Sequence, residues 1–311
     1  MEFFKKTTTL PFMEKRFWAY GLSAFLILGS IVSLATRGLN FGIDFTGGVI
    51  IEAGYPTSAN LDKARDAVEA AGFRDPIVQT VDSSREIMVR VMPGKNEDVN
   101  HVAERILAAL KTLDPQVQLR RTDVVGPQVG AELAEKGGLA MLFTFLLILV
   151  YVGFRFEKKM AAGTVLAAMH DPFVILGFFS VTQITFDLSV LAATLAVIGY
   201  SINDTVVVFD RVREVFHSMR KATPMQVLDA AVNQTLSRTV MTSFCTLFVV
   251  MSLYVFGGEA LKGFSVAIMV GIIVGTFSSI FIAAALALDL KLSAVDLMPP
   301  QEKGGEVDAM P

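Results

Sequence analysis

Asp204 is a carboxylate inside an apolar stretch of the chain, six residues before Asp210. Along a helix that separation is about 9 Å, so Asp204 would lie within the apolar layer if Asp210 marks its edge. A charged residue at mid-membrane costs about 2.5–3.5 kcal/mol and indicates a functional site by default. We expect a proton-carrying or gating carboxylate, with a buried polar contact between helices as the alternative. Small or polar residues share its face or the neighbouring stripe: Gly199, Tyr200, Asn203 and Arg211.

Arg238 stands at the start of a later apolar stretch, and threonines follow it at helical spacing. A lone arginine at a helix end usually extends its charged head to the interface, which would make Arg238 an anchor that sets topology. Thr239, Thr242 and Thr246 continue a polar stripe inward, which favours a hydrated or helix-lined path. We therefore predict a functional Arg238 and keep the anchor as the alternative.

A third polar position is His170-Asp171-Pro172, near the middle of another apolar stretch. Proline removes a backbone donor and can bend a helix. Histidine can titrate near neutral pH. A direct proton role and a paired structural contact both remain open here. We group the remaining candidates as secondary proton or structural sites: Asn203, Asp210, Arg211, His170 and Asp171.

Small residues recur at four-residue spacing in the last apolar stretch, at Gly271, Gly275, Ser279 and Ala283. Such a stripe lets helices approach closely, so these residues are predicted to serve helix packing, as is Gly199.

Composition excludes several functional classes. The net charge of −3 indicates no nucleic-acid partner. The single cysteine, Cys245, lies in an apolar run and is expected to serve packing. No CxxC, HExxH or phosphate-binding loop occurs, so we expect no metal, no cofactor and no nucleotide-driven motor.

Six apolar stretches are long enough to cross a bilayer core of roughly 30 Å. The chain of 311 residues is 53% hydrophobic and 18% charged, with a mean hydropathy of +0.54. These values and the clustering of apolar residues predict a polytopic α-helical membrane protein. The predicted spans lie near 17–35, 137–156, 161–181, 188–209, 239–257 and 264–288.

Lysine and arginine are distributed unequally between the two sides of these spans. Fourteen lie in the termini and loops of one side, whereas the short loops 182–187 and 258–263 of the other side contain only Lys262. The positive-inside rule then places both termini in the cytoplasm, at residues 1–16 and 289–311. Residues 36–136 are expected outside, and 137–288 form a five-helix domain.

The segment 48–126 has the pattern of a small soluble domain. Strands are predicted at 48–55, 77–81, 87–92 and 117–125, with helices at 61–72 and 99–113 and a turn at 82–84. The order β-α-β-β-α-β is typical of a ferredoxin-like α+β domain. His101 has no second histidine or cysteine nearby, so we expect a binding or coupling module that folds alone and not an active site.

Five motifs, in order along the chain, resemble those of the SecF family of protein-export membrane subunits. The first is Phe41-Gly42-Ile43-Asp44-Phe45-Thr46-Gly47-Gly48, in which Asp44, Gly47 and Gly48 are family motif residues. The second is Val125-Gly126-Pro127-Gln128-Val129-Gly130. The others occupy 151–157, 199–214 and 233–239.

The resemblance implies a function that composition does not reveal. It places the chain among proton-driven transporters of the resistance-nodulation-division superfamily. It implies a SecD-like partner, the SecYEG translocon and unfolded exported polypeptide, with YajC as a further candidate, in a bacterial inner membrane. It also implies that Asp204 and Arg238 form a proton relay driven by the proton-motive force. The family's third participant is an aspartate of SecD, which this chain lacks.

Three other functions remain as alternatives. A passive assembly subunit would use the buried charges only to hold its partner. A small-solute exporter of the same superfamily would typically be twice as long. An intramembrane aspartyl protease could be built on Asp171 and Asp204, but the Gly-x-Gly-Asp pattern is absent.

Overall fold

A computed structural model describes residues 8–81, 83–92, 99–293 and 296. Six helical stretches in this part of the chain are long and apolar enough to span a membrane, which confirms the predicted helical membrane fold. Parts of the predicted termini, 1–7 and 294–311 except Asp296, lie outside the described residues, as does Asp82 of the predicted turn. The helices are α1 (Arg16–Thr36), a short α2 (Ile43–Thr46), α5 (Pro127–Arg155), α6 (Lys158–Thr182), α7 (Leu188–Ser218) and α8 (Pro224–Phe256). The last span joins α9 (Glu259–Phe277), a π-helical segment (Ser278–Ala283) and α10 (Ala284–Asp289).

Several helices begin earlier than the hydropathy pattern predicts. Pro127 occupies the first turn of α5, where its missing N–H costs nothing. Thr223 and Gln226 form a reciprocal capping box at the start of α8. Arg238 is therefore an internal residue of a 33-residue helix and not a residue at a helix end, which corrects the position assumed from sequence.

The α+β domain contains β1 (Gly48–Gly54), α3 (Leu61–Ala70), β2 (Ile77–Thr80), β3 (Glu86–Val91), α4 (Val99–Leu113) and β4 (Gln118–Val125). The sheet order is β2-β3-β1-β4, and every neighbouring pair is antiparallel. This is the order of a ferredoxin-like split unit, in agreement with the predicted topology.

One face of this sheet and both helices enclose the core of the domain. Alternate residues of β1 point into it because successive strand side chains face opposite ways. Helices α3 and α4 cover these residues with apolar stripes. The buried core includes Val49, Ile51, Ala53, Val68, Ile106 and Leu110. The opposite sheet face is left to meet the helical domain.

Helices α6 and α7 and the last span form the centre of the helical domain. Their apolar windows are 61%, 56% and 56% buried, compared with 22% for α1, 11% for α5 and 17% for α8. The outer helices therefore present most of their apolar surface outward, as expected of helices that face lipid or a partner. Polar groups on α6, α7 and the last span are consequently the most removed from the surroundings among the described residues.

Candidate functional site

Asp204 lies in the middle of the central helix α7. Fourteen residues separate it from Ser218, the last residue of the helix, or about 21 Å along the axis. Its side chain is buried, with 5% relative exposure, and its Oδ2 atom has no hydrogen-bond partner among the described residues. An ionised carboxylate in such a place needs a counter-charge or water, whereas the protonated acid does not.

Arg238 lies at the same level on the neighbouring helix. Fourteen residues separate it from Pro224, the first residue of α8, so both side chains lie about 21 Å from the short link between α7 and α8. Arg238 acts electrostatically on Asp204, but no hydrogen bond or ion pair joins these two described residues. Its own side chain is exposed. The structure thus places the two predicted relay residues side by side without pairing them.

Asp210 and Arg211, the charged residues one to two turns beyond Asp204, contact other helices. Both carboxylate oxygens of Asp210 accept from Arg155 at 2.6 Å. Arg211 donates to Gln234 at 2.6 Å and also binds Glu214. These bonds tie α7 to the end of α5 and to α8, so Asp210 and Arg211 serve helix connection in this structure.

His170 and Asp171 are buried between three elements. The imidazole Nδ1 lies 3.0 Å from Asp171 Oδ1, and the other carboxylate oxygen accepts from Ser201 and Ser278. Sequence reasoning named the His–Asp pair but not its two serine partners. Among the described residues, no hydrogen bond joins Asp171 to Asp204, unlike the two carboxyl groups of a protease dyad that share a proton. Both of its oxygens are used by the imidazole and the hydroxyl groups.

Two of the predicted packing glycines allow close contact between helices, whereas Ser279 also forms hydrogen bonds. A Cβ at Gly271 would lie 2.4 Å from Val197, and one at Gly275 would lie 3.1 Å from Ser201, so both glycines allow close contact between α9 and α7. Ser279 does more than pack, because its hydroxyl bonds Thr205 and the Ser201 carbonyl.

Gly199 packs against no helix among the described residues, so its predicted packing role stays a prediction. This residue is exposed, and nothing lies within 4 Å of the position that a Cβ would occupy. The physical reason is the rotation of α7, whose buried face carries Ser201 and Asp204. Asn203 is likewise exposed, next to Gly199 on the outer stripe.

The glycine motif joins the α+β domain to the helical domain. Gly47 has φ +71°, and a Cβ there would lie 2.8 Å from the Cα atom of Pro127. Gly48 has φ +138° and faces the Val91 carbonyl. Asp44 accepts from the backbone N–H of Leu188 at 2.9 Å, at the first residue of α7. The motif therefore connects β1, the start of α5 and the start of α7.

Sequence reasoning missed two long-range contacts that hold the segment before α1. The amide of Asn233 exchanges two hydrogen bonds with the backbone of Leu10, at 2.8 and 2.9 Å. Asp229 accepts from the backbone of Met13 at 2.9 Å. Both residues fasten the segment before α1 to α8. The presence of Asn233 in the fifth motif was a signal, but nothing in the pattern indicated its distant partner.

A cleft of about 640 Å³ separates the open sheet face from the helical domain. Its sheet side includes Met88, Gln79 and Arg90, and its other side includes Gln183 and Thr185. Arg90 is only 9% exposed, and burial lowers the pKa of its guanidinium from the usual value. The cleft offers apolar surface and hydrogen-bonding groups together.

Comparison with known proteins gives consistent results along the whole chain. The family described as "Protein export membrane protein SecD/SecF, C-terminal" matches residues 105–293, and the "SecD/SecF GG Motif" matches residues 32–55. The "Protein translocase subunit SecF" of Vibrio alginolyticus is 48% identical over 310 residues, covering 99% of this chain and 98% of that protein. The protein of the same name from Pseudomonas aeruginosa is 45% identical over 300 residues, with 96% and 97% covered.

A solved structure has the same arrangement of helices. The crystal structure of SecDF from Thermus thermophilus, described as a translocon-associated membrane protein, superposes with a TM-score of 0.82 at 33% identity. The match covers 91% of this chain and 39% of that chain. This chain therefore spans about two fifths of that longer protein.

Proposed function

The chain belongs to the SecF family of the SecD/SecF protein-export membrane proteins, and from this premise we propose a proton-driven role for it in export. In the proposal, the chain and a SecD-like partner use the proton-motive force to promote translocation or release of exported polypeptides. Membership in the family makes it a multi-pass subunit of the protein translocase. Beyond this membership, we propose the driving force, the proton site and the further partners.

The state of Asp204 is the single observation that supports this proposal best. Its carboxyl group is buried at mid-span, and Oδ2 has no partner among the described residues. An ionised carboxylate there costs about 2.5–3.5 kcal/mol. Binding a proton removes that charge, and moving one charge across 100 mV is worth about 2.3 kcal/mol. The two energies are of the same order, so a membrane potential could drive protonation and release.

Arg238 is suited to respond to this proton. Its exposed guanidinium lies level with Asp204 and has no ion pair with it. The guanidinium could meet Asp204 when that carboxylate is ionised and turn to a carboxylate of the SecD-like partner when it is protonated. Such an exchange changes which helices are held together, which is how a local charge can bias a two-state element.

The glycine motif gives this change a route to the α+β domain. Asp44 holds the first N–H of α7, and Gly42 donates to the Phe186 carbonyl just before that helix. A shift of α7 would therefore pull on the strand that enters the sheet. The cleft under that sheet is the surface that we propose for contact with unfolded exported polypeptide.

The proposed setting follows the distribution of basic residues. Both termini lie in the cytoplasm of a bacterium, the chain crosses the inner membrane, and the α+β domain is periplasmic. SecYEG and YajC remain proposed neighbours.

Asp204→Asn in the native complex tests the function. We expect normal insertion and normal association with the SecD-like partner, because asparagine keeps the shape of the side chain but cannot ionise. Gradient-dependent export should be lost, measured as export into membrane vesicles with and without an uncoupler. Asp66→Asn, the same chemical change at an exposed position of α3, is the control and should export normally. Full gradient-dependent export by Asp204→Asn would contradict the proposal and favour a passive assembly subunit.

A further inference from the structure

Asp171 is the most enclosed charged group among the described residues. Its exposure is 0%, and three donors reach it from three elements. His170 Nδ1 lies 3.0 Å from Oδ1, while Ser201 at 2.5 Å and Ser278 at 2.9 Å donate to Oδ2. The donors come from α6, α7 and the π segment. One carboxyl group thus connects three helical elements at the centre of the domain.

The charge balance of the His170–Asp171 pair depends on one proton. With neutral His170 and ionised Asp171, the pair has a net negative charge. With one more proton, on either the imidazole or the carboxyl group, the net charge of the pair is zero. A buried uncompensated charge is costly, whereas a neutral hydrogen-bonded pair is tolerated. The buried Nε2 atom of His170 has no partner among the described residues, so this nitrogen is available to bind a proton.

Few other charges can compensate this pair. The spans α1, α5 and the last one have no charged residue between Arg16 and Arg37, between Lys136 and Arg155, or between Lys262 and Asp289. The last span contributes hydroxyl groups, and α1 contributes Ser33, which bonds Ser180 further along α6. The charged groups at mid-span are therefore Asp204 on α7 and Arg238 on α8.

The pair is connected to α7 next to Asp204. Ser201 lies three residues before Asp204, about 4.5 Å along the helix. The Ser201 carbonyl accepts from Thr205 and from Ser279 of the π segment, both at 3.2 Å. π-Helical turns interrupt the regular α-helical bonding and often occur at functional sites. Ser278, the first residue of the π segment, is the residue that donates to Asp171.

We propose that His170 and Asp171 form a second proton-binding site, whose proton controls the hydroxyl contacts that join α6 to α7 and to the π segment. The ionised carboxylate accepts both serine hydroxyls. When the proton binds at Oδ2, that oxygen donates a hydrogen bond and accepts fewer, so one of the two serine hydroxyls must turn to accept or find another partner. The proton comes from water and returns to water, and no other covalent bond changes.

Proton binding by His170 and Asp171 does not depend on the proposed function, whereas a role of that proton in export rests on the proposed function. Measuring proton binding and export in the same preparations distinguishes the two. Infrared difference spectra of the full chain with its SecD-like partner, taken between acid and alkaline pH, detect protonated carboxylic acids directly.

The wild-type spectrum should contain one band from the Asp204 acid and one from the Asp171 acid, in addition to those of the SecD-like partner. Asp204→Asn should remove one band, and Asp171→Asn should remove the other. His170→Gln should shift the Asp171 band, because the imidazole bonds that carboxyl group. Asp171→Glu should restore a band, which a purely structural role would not require.

Ser278→Ala keeps both titrating groups and covers the case in which Asp171→Asn does not fold. Loss of a hydroxyl donor to the carboxylate favours the acid, so the Asp171 band should persist to higher pH than in the wild type. Ser252→Ala, whose hydroxyl bonds only its own helix at Phe248, is the matched control and should leave that band unchanged.

Two results would overturn the second site. One is a spectrum in which no band is sensitive to Asp171→Asn or Asp171→Glu. The other is a band for Asp171 that Ser278→Ala and His170→Gln leave unchanged. If Asp204→Asn exports normally while the Asp171 band behaves as expected, the proposed function fails and the second proton site stands.

Discussion

At the scale of single residues, burial distinguishes the two intramembrane aspartates. Asp171 uses both carboxylate oxygens in hydrogen bonds, whereas Oδ2 of Asp204 has no partner in the part of the chain that the structure describes. A satisfied buried carboxyl group holds its neighbours in place. A buried carboxyl group with an oxygen that lacks a hydrogen bond can more readily bind a proton or change its partner. This difference supports different roles for the two proposed proton sites: the proton at Asp171 controls hydroxyl contacts between helices, whereas the proton at Asp204 controls its pairing with Arg238.

Arg238→Lys tests whether Arg238 acts through its planar guanidinium. Lysine keeps the positive charge that sets topology but loses the fork that can bind a carboxylate with two bonds. We expect correct insertion with defective gradient-dependent export, measured in membrane vesicles. Arg220→Lys, in the link after α7, is the control and should export normally.

The double variant Asp204→Asn with Arg238→Gln examines whether both residues serve one step. Export should then be no worse than in either single variant, because both changes disable the same step. Defects that simply add, or a fully active Arg238→Lys, would refute a shared step.

At the scale of elements, the glycine motif is the junction at which the sheet contacts the helices. Gly47 combines a left-handed backbone with a close approach to the Pro127 backbone. Gly130 completes the contact, because a Cβ there would lie 2.7 Å from the Gly47 nitrogen. No side chain fits at either position without displacing backbone, and backbone gives way less readily than a flexible side chain.

Gly47→Ala should destabilise this junction more than Gly38→Ala. Both residues have positive φ, +71° and +68°, so both variants incur a conformational cost of about 1–2 kcal/mol. Only Gly47 adds a clash, since nothing lies within 4 Å of a Cβ at Gly38. The thermal midpoint of the purified chain should fall further for Gly47→Ala. Equal midpoints would show that the close contact with Pro127 adds no stability.

At the scale of the whole molecule, the outer stripe of α7 suggests where a partner packs. Ala192, Ala196, Gly199 and Asn203 lie on the exposed side of the central helix. Small residues on one stripe let another helix approach closely. Asp204 lies one residue beyond this stripe, so a partner seated there would come close to the proposed relay.

Gly199→Leu should weaken association with the SecD-like partner without disturbing the fold of this chain. Its position has open space within the chain, so leucine would protrude only toward a partner. Co-purification from detergent extracts measures the effect. Gly153→Leu on α5 is the matched control, because that glycine is also exposed with nothing within 4 Å. Equal co-purification of both variants would place the partner elsewhere.

The sequence by itself determined the architecture of this protein. Long apolar runs specify spans, because a bilayer requires about 20 apolar residues per helix. Alternating and 3.6-residue patterns specified the β-α-β-β-α-β domain, because each element buries one face. The buried aspartates at 171 and 204 were equally visible, since a charge inside an apolar run needs no structure to be noticed.

Only the tertiary structure decided what those residues touch. Ser278 reaches Asp171 across 107 residues of sequence, and Asp44 reaches Leu188 across 144. Periodicity also failed to reveal that α7 turns Gly199 outward, or that the Thr223 capping box places Arg238 inside a helix. Hydropathy and spacing report local burial, whereas hydrogen-bond partners depend on the rotation and register of helices distant in sequence. Local sequence patterns therefore specify the fold, but the chemistry of the site arises from packing between segments that are distant in sequence.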